Sequence, residues 1–130
     1  MRYDWNKALE PGTIVCAKYN TFEGEQRVGL FLILYDEQKD NNVIDNKNVI
    51  ALKLSTQRTC VSNYSIQVDR KLNPFLNDDC IVCCSKLHTL HKTQQVYKIL
   101  GTLHPATYHR VYRIFMKFYN ALSDQLIASI

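Results

Sequence analysis

Short apolar runs alternate with polar, turn-forming stretches along most of the chain, and one long stripe at helical spacing closes it. The first run, Thr13–Tyr19, reads as a strand. Pro11-Gly12 sets it off from a leader expected to begin as a helical turn around Trp5 and Leu9. The polar stretch Asn20–Gln26, with Gly24, reads as a loop. A second strand is predicted from about Arg27 to Tyr35, and its unbroken apolar half, Leu30–Tyr35, marks a strand covered on both faces. Asp36–Lys47, polar except for Val43 and Ile44, reads as a solvated excursion. The third strand, Val49–Leu54, ends in a polar rim, Ser55-Thr56-Gln57-Arg58. Ser65–Val68 is a short alternating strand, and Asn73-Pro74 and Asn77-Asp78-Asp79 supply turns. Cys80–Cys84, Leu87–Leu90 and Val96–Leu103 read as further short strands.

From His104-Pro105 the period changes. Proline near the first helical position suits a helix start. Tyr108, Val111, Tyr112, Phe115, Phe118, Tyr119 and Leu122 then fall three and four residues apart, the stripe of an amphipathic helix. Arg110, Arg113 and Lys117 lie off the stripe. Most of its Tyr and Phe side chains are expected to be core, and Ser123–Ile130 to extend the helix after a break. Such a series of strands followed by one helix predicts a mainly β (α+β) domain over residues 1–130, a small twisted β-barrel of five to seven short strands with the C-terminal amphipathic helix packed on it.

Composition narrows this little. The chain has 130 residues, 46% hydrophobic and 22% charged, values that exclude disordered and fibrous classes. No apolar run approaches the ~18–20 residues of a membrane helix, and Met1–Lys7 has no apolar secretory core, so no membrane association is expected. The net charge of +4 permits an acidic partner or a nucleic acid and requires neither. No basic block exceeds two residues, so a phosphate-binding surface has to be assembled by folding. Cys16, Cys60, Cys80, Cys83 and Cys84, an odd number without a secretion context, read as reduced thiols of a cytoplasmic protein. Cys80, Cys83, Cys84, His88 and His91 invite a zinc or redox reading. A C-x-x-C inside a strand, however, sends its thiols to opposite faces, and a redox C-x-x-C opens a helix. Neither metal nor cofactor is expected.

Several short motifs carry more information in order than alone. Pro11-Gly12-Thr13-Ile14-Val15 is similar to an opening strand preceded by Gly-Asp. Arg27-Val28-Gly29-Leu30-Phe31-Leu32-Ile33 looks like an Arg-Pro followed by a buried strand. Ala51-Leu52-Lys53-Leu54-Ser55-Thr56-Gln57 ends in a hydroxyl pair, Asp79-Cys80-Ile81-Val82 looks like an Asp-Ser-aliphatic signal, and Leu87-His88-Thr89-Leu90 like an Ile-Arg-Thr-Ile. Together, over about residues 11–122, they resemble the MazF/PemK (Kid-like) family of toxin endoribonucleases. The resemblance implies an SH3-like barrel, a homodimer, and the toxin of a type II toxin–antitoxin pair that cleaves single-stranded mRNA and is inhibited by an acidic antitoxin. This chain departs from the family pattern at Thr13 for Asp, Val28 for Pro, Ser85 for an acidic residue, Cys83 for a basic one and His88 for Arg.

The chemistry that the resemblance implies uses the RNA 2′-OH as internal nucleophile on the adjoining phosphate. The protein then has to supply proximity, charge stabilisation and proton transfer, without a metal. Arg27 is the candidate for the phosphate, because a guanidinium stays protonated and binds phosphate oxygens in pairs. Ser55 and Thr56 would bind the phosphate or place the 2′-OH, their hydroxyls facing one phosphate-sized cavity. The general base is left between His88, whose ordinary pKa is about 6.5, and Glu25, two residues before Arg27. Lys53, Arg58 and Lys86 are candidates for an RNA groove, and Tyr19, Phe22 and Tyr64 for base stacking. The bland readings are a salt-bridged Arg27, strand-end hydroxyls that cap turns and solvated lysines. A non-catalytic module of the same fold, binding protein or nucleic acid, is the alternative function. An unrelated β-barrel binder is the third, favoured if Arg27 lies far from Ser55, Thr56 and His88.

Overall fold

The computed structural model of the chain describes residues 7–40, 47–56 and 63–129; Trp5, Arg58 and Cys60 lie outside them. Six strands precede one helix: β1 Thr13–Asn20, β2 Gln26–Asp36, β3 Asn48–Ser55, β4 Ser65–Val68, β5 Cys80–His91, β6 Val96–Thr102 and α1 Pro105–Ala128, with a single 3-10 turn at Glu37–Lys39. The mainly β class with a C-terminal helix is therefore as expected. The strands form one antiparallel sheet in the order β4-β5-β3-β2-β1-β6.

The sheet is rolled without being closed by a ladder. β5 and β6 stand four strand spacings apart in it, about 19 Å if it were flat. Yet the Gln95 N–H donates to the His91 carbonyl at 2.8 Å across the turn that joins them. A four-residue connection can bridge those strands only if the sheet curls on itself. No pairing among the described residues joins the two outermost strands, β4 and β6, so the barrel of the sequence reading is an open one.

Rolling buries both faces of β1, β2 and β3 at their centres, as the apolar continuity of Leu30–Tyr35 predicts for Phe31–Ile33, whereas Tyr35 is exposed. The inner face packs Val15, Ala17, Phe31, Ile33, Val49, Ala51, Leu90 and Val96, closed at one end by Leu9. The outer face packs Ile14, Leu32, Leu52, Leu54, Val82 and Cys84 against Val111 of α1. Gly12, at the entrance to β1, has φ +95, a conformation that favours glycine. There its N–H donates to Ile33 and its carbonyl accepts from Leu103.

Three expectations are corrected. Cys80–Cys84 and Leu87–Leu90 are one strand, interrupted by a bulge. Leu54 pairs with Val82 and Leu52 with Leu87, which leaves residues 83–86 opposite Lys53 alone. The helix runs without a break to Ala128, and only part of its stripe is core. Val111 is buried and Tyr108 and Phe115 pack beside it, but Tyr112, Tyr119 and Leu122 are exposed. A helix of 24 residues is about 36 Å long; it lies mainly against β4 and β5, and its last turns, residues 124–129, are exposed. Finally, the stretch after β2 is not wholly solvated, because Asp36 is fully buried in an ion pair with Lys92.

The helix start is fixed by local polar groups. His104 Nδ1 accepts the Ala106 N–H at 3.1 Å as an N-cap, and Pro105 fills the next position. Buried Asn73 holds this corner: its Oδ1 accepts the His104 N–H at 2.7 Å and its Nδ2 donates to the Asp69 carbonyl at 2.9 Å.

Candidate active site

Side chains alternate across a strand, so the inner face of the rolled sheet carries every second residue. The apolar members of that face form the inner core. Towards one end the same rows become polar: Tyr19 on β1, Arg27 and Gly29 on β2, Lys53 and Ser55 on β3, His88 on β5. The ladder sets them side by side. Tyr19 is opposite Arg27, Phe31 opposite Lys53, and Ala51 opposite His88. Tyr19, Arg27, Lys53, Ser55 and His88 line one cleft of about 440 Å3, together with Lys86 and Cys83 from the β5 bulge, Asn20 at the end of β1, and Thr21 and Phe22 from the β1–β2 loop.

The cleft floor is aromatic and tightly fitted. Phe31, fully buried, meets Tyr19 edge-on at 5.7 Å between centroids and His88 at 5.2 Å. Lys53 Nζ donates to the Tyr19 hydroxyl at 2.7 Å and lies 4.3 Å from its ring centroid. Gly29 permits this contact. A Cβ there would come within 3.0 Å of Tyr19 Cε1 and 3.4 Å of Lys53 Cε.

Arg27 stands at the rim, its side chain 58% exposed, paired at 3.0 Å with a Glu25 carboxylate that is 60% exposed. Such a pair is solvent-screened and readily exchanged for another anion. The loop before it is shaped by its own hydrogen bonds: Glu25 N–H to Thr21 Oγ1 and Thr21 N–H to the Glu25 carbonyl. Phe22 is fully exposed at its tip. His88 is half-buried. Burial, and after it the ammonium groups of Lys53 and Lys86, hold its pKa below the ordinary imidazole value. The ring is therefore neutral at neutral pH and able to accept a proton.

Not all the sequence candidates converge. Thr56 lines a different hollow, with Gln67, Asp78, Asp79, Cys80 and Ile81, and not the cleft of Ser55. The cause is alternation, since adjacent residues of an extended chain point to opposite faces. Tyr64 packs edge-on against Phe118 of α1 at 5.3 Å, away from the cleft. Glu25 engages Arg27 and does not line the cleft. Arg58 lies outside the described residues. Conversely, Gly29 and Cys83 were not among the candidate cleft residues. A lone glycine within an apolar strand is a signal of close approach, and Gly29 alternates with Arg27 and Phe31. Cys80 and Cys84 are buried thiols, the latter pushed up to about 12 by burial and, after it, by Cys83. Among the described residues no group of three or more His, Cys, Asp or Glu is placed to hold a metal ion, and no helix is long and apolar enough to cross a membrane.

No family model and no curated protein sequence matches the chain. Solved structures do. An endoribonuclease in complex with its cognate antitoxin, from a mycobacterial species, superposes with a TM-score of 0.64 at 16% identity, covering 87% of this chain and 96% of that one. An endoribonuclease from a mycobacterial species gives 0.63 at 16% identity, covering 90% and 96%. At this identity the likeness establishes a shared fold, and it is the fold to which the MazF/PemK resemblance points.

Proposed function

We propose that this chain is a metal-independent endoribonuclease acting on single-stranded RNA, the toxin of a toxin–antitoxin pair. The convergence of Arg27, Ser55, His88, Lys53 and Lys86 on one cleft carries this reading. It gains weight from the fold shared with endoribonucleases, one of them in complex with an antitoxin.

Each group has a task suited to its chemistry. Arg27 exchanges Glu25 for the scissile phosphate and stabilises charge as the phosphorane forms. Neutral His88 takes the proton of the 2′-OH, which attacks the adjoining phosphorus. The bond to the 5′-oxygen breaks, that oxygen takes a proton from solvent water and leaves as a hydroxyl, and a 2′,3′-cyclic phosphate remains. Ser55 hydrogen-bonds the phosphate, Lys53 and Lys86 hold neighbouring phosphates, and Tyr19 and Phe22 offer rings to splayed bases. The proposed partners are an acidic antitoxin that competes for the cationic cleft and a second copy of the chain in a homodimer.

The test is a digest of long single-stranded RNA in the presence of EDTA, with the ends of the products mapped. Internal cuts with 2′,3′-cyclic phosphate ends, lost in Arg27→Ala, are expected; intact RNA across a range of pH would remove the enzyme reading. The Glu25–Arg27 pair and the replacement of the family's acidic residue by Ser85 favour a second reading, a non-catalytic binding module. That module would bind RNA or protein and cut nothing.

A further inference from the structure

Beside the cleft lies a second hollow, of about 390 Å3, and the two share Tyr19 and Asn20. Its other walls are Lys18, Gln26 at the start of β2, and Gln94 and Gln95 in the turn between β5 and β6. Ladder ends bring these residues together. Asn20 is opposite Gln26, and the Lys18 N–H donates to the Gln95 carbonyl at 2.9 Å. Gln95 is held at both ends of its amide: Oε1 accepts the His91 N–H at 2.7 Å and Nε2 donates to the Lys18 carbonyl at 3.1 Å. It is a fixed wall. The side-chain amides of Asn20, Gln26 and Gln94 make no hydrogen bond to any described residue.

Four carboxamides, one lysine and no carboxylate define the chemistry of this hollow. Phosphate would be drawn to cations, which are concentrated in the neighbouring cleft. A carboxamide instead offers a donor and an acceptor side by side, the complement of the paired donor and acceptor on the edge of a nucleobase. In single-stranded RNA those edges are free. We infer that this hollow reads one base of the RNA, in the nucleotide adjoining the one whose phosphate meets Arg27. Tyr19 and Asn20 form the ridge that the strand crosses, and Gln26 and Gln94 hydrogen-bond the base edge. This rests on the nuclease reading and adds to it a sequence preference at a single position.

The experiment compares the wild-type chain with Gln26→Ala and Gln94→Ala on one long single-stranded RNA of known sequence, with all cut ends mapped. Wild-type cuts are expected to favour particular bases at one position beside the scissile bond. Each substitution lowers that discrimination about fivefold, the scale of one hydrogen bond, and leaves preferences at other positions in place. Wild-type cutting without base preference, or variants that keep the wild-type preference, overturns the inference and leaves the nuclease reading standing. If the wild-type chain cuts nothing, the nuclease reading falls, and fluorescence anisotropy with labelled oligo(A), oligo(C) and oligo(U) decides about the hollow. Base-dependent affinity that Gln26→Ala weakens supports it; equal affinities, or none, sink it.

Discussion

Lys92 and Asp36 form a 2.9 Å ion pair in which neither side chain has any exposure to solvent. The same carboxylate accepts the Leu9 N–H at 2.6 Å and the Gln38 N–H at 2.9 Å, and Lys92 also reaches the Gln38 amide. One acid thus ties the leader and the end of β2 to the turn that rolls the sheet. Lys92→Met leaves a buried carboxylate without its cation and is expected to cost about 3–5 kcal/mol, measured by urea unfolding. The double variant Asp36→Asn/Lys92→Met should recover part of that loss, because the amide oxygen still accepts from the backbone.

Arg27→Ala should lower RNA cleavage by about 10²–10³-fold, the scale of removing one preorganised stabiliser of developing charge. Its side chain is exposed, so stability should change by no more than about 0.5 kcal/mol. Cleavage rates and unfolding midpoints on the same preparations separate the two effects. Arg27→Lys should not restore the rate, because an ammonium lacks the planar fork that binds two phosphate oxygens.

In the proposed reaction His88 would give the rate an acidic limb. Burial first, then Lys53 and Lys86, depress its pKa, so cleavage should rise with pH through a value below the ordinary ~6.5 and level off above it. Lys86→Met removes one of the depressing charges and should move that limb to higher pH, visible in the rate profile and in an NMR titration of the ring. Stability follows the same group. The unfolded chain binds this proton more readily, so the His88 contribution is intact above about pH 6.5 and is lost as pH falls through the folded-state value.

Gly29→Val should disturb the cleft without unfolding the chain. Even a single added carbon meets Tyr19 at 3.0 Å and Lys53 at 3.4 Å, so the ring has to lift off its ammonium partner. Stacking on one aromatic contributes about 1–3 kcal/mol. Affinity for single-stranded RNA should therefore fall about tenfold, read as a rise in KM larger than any fall in kcat.

The sheet elements were legible because alternation and apolar continuity are local properties of a strand. Ser65–Val68 was placed as it stands, and β1, β2 and β3 differ from expectation by a residue or two at their ends. The bulge in β5 was not legible, since it exists only in the pairing with the distant β3, whose register shifts between Leu52 and Leu54. Asp36 looked like a loop residue because its buried partner lies 56 positions away. At the site, Arg27, Lys53, Ser55 and His88 stand within the family motifs, while Lys86 and Tyr19 are candidates only as a groove cation and a stacking ring; folding brings all six to one cleft. Thr56 was misplaced because a sequence pair invites a shared role that strand geometry forbids. Gly29 was passed over because its contribution is the space that it leaves.

Gly101→Ala should be destabilising for a different reason. The added carbon would lie 2.9 Å from the Phe75 ring, and that ring is packed against the outer core. Overpacking of this kind costs about 1–3 kcal/mol, to be read as a lower urea midpoint, with cleavage unchanged below the unfolding transition.

The β5 bulge has a consequence for how such a chain can be altered. Residues 83–86 stand outside the β3–β5 register that runs on both sides of them, while Cys84 is anchored in the outer core. Cys83 remains a rung opposite Ser65 of β4, whereas Ser85 and Lys86 have no partner in the ladders with β3 or β4. Exchanging or lengthening the stretch at Ser85 and Lys86 would re-tailor the cleft wall while the scaffold kept its pairing, which makes it the natural graft point for altering what the cleft accepts.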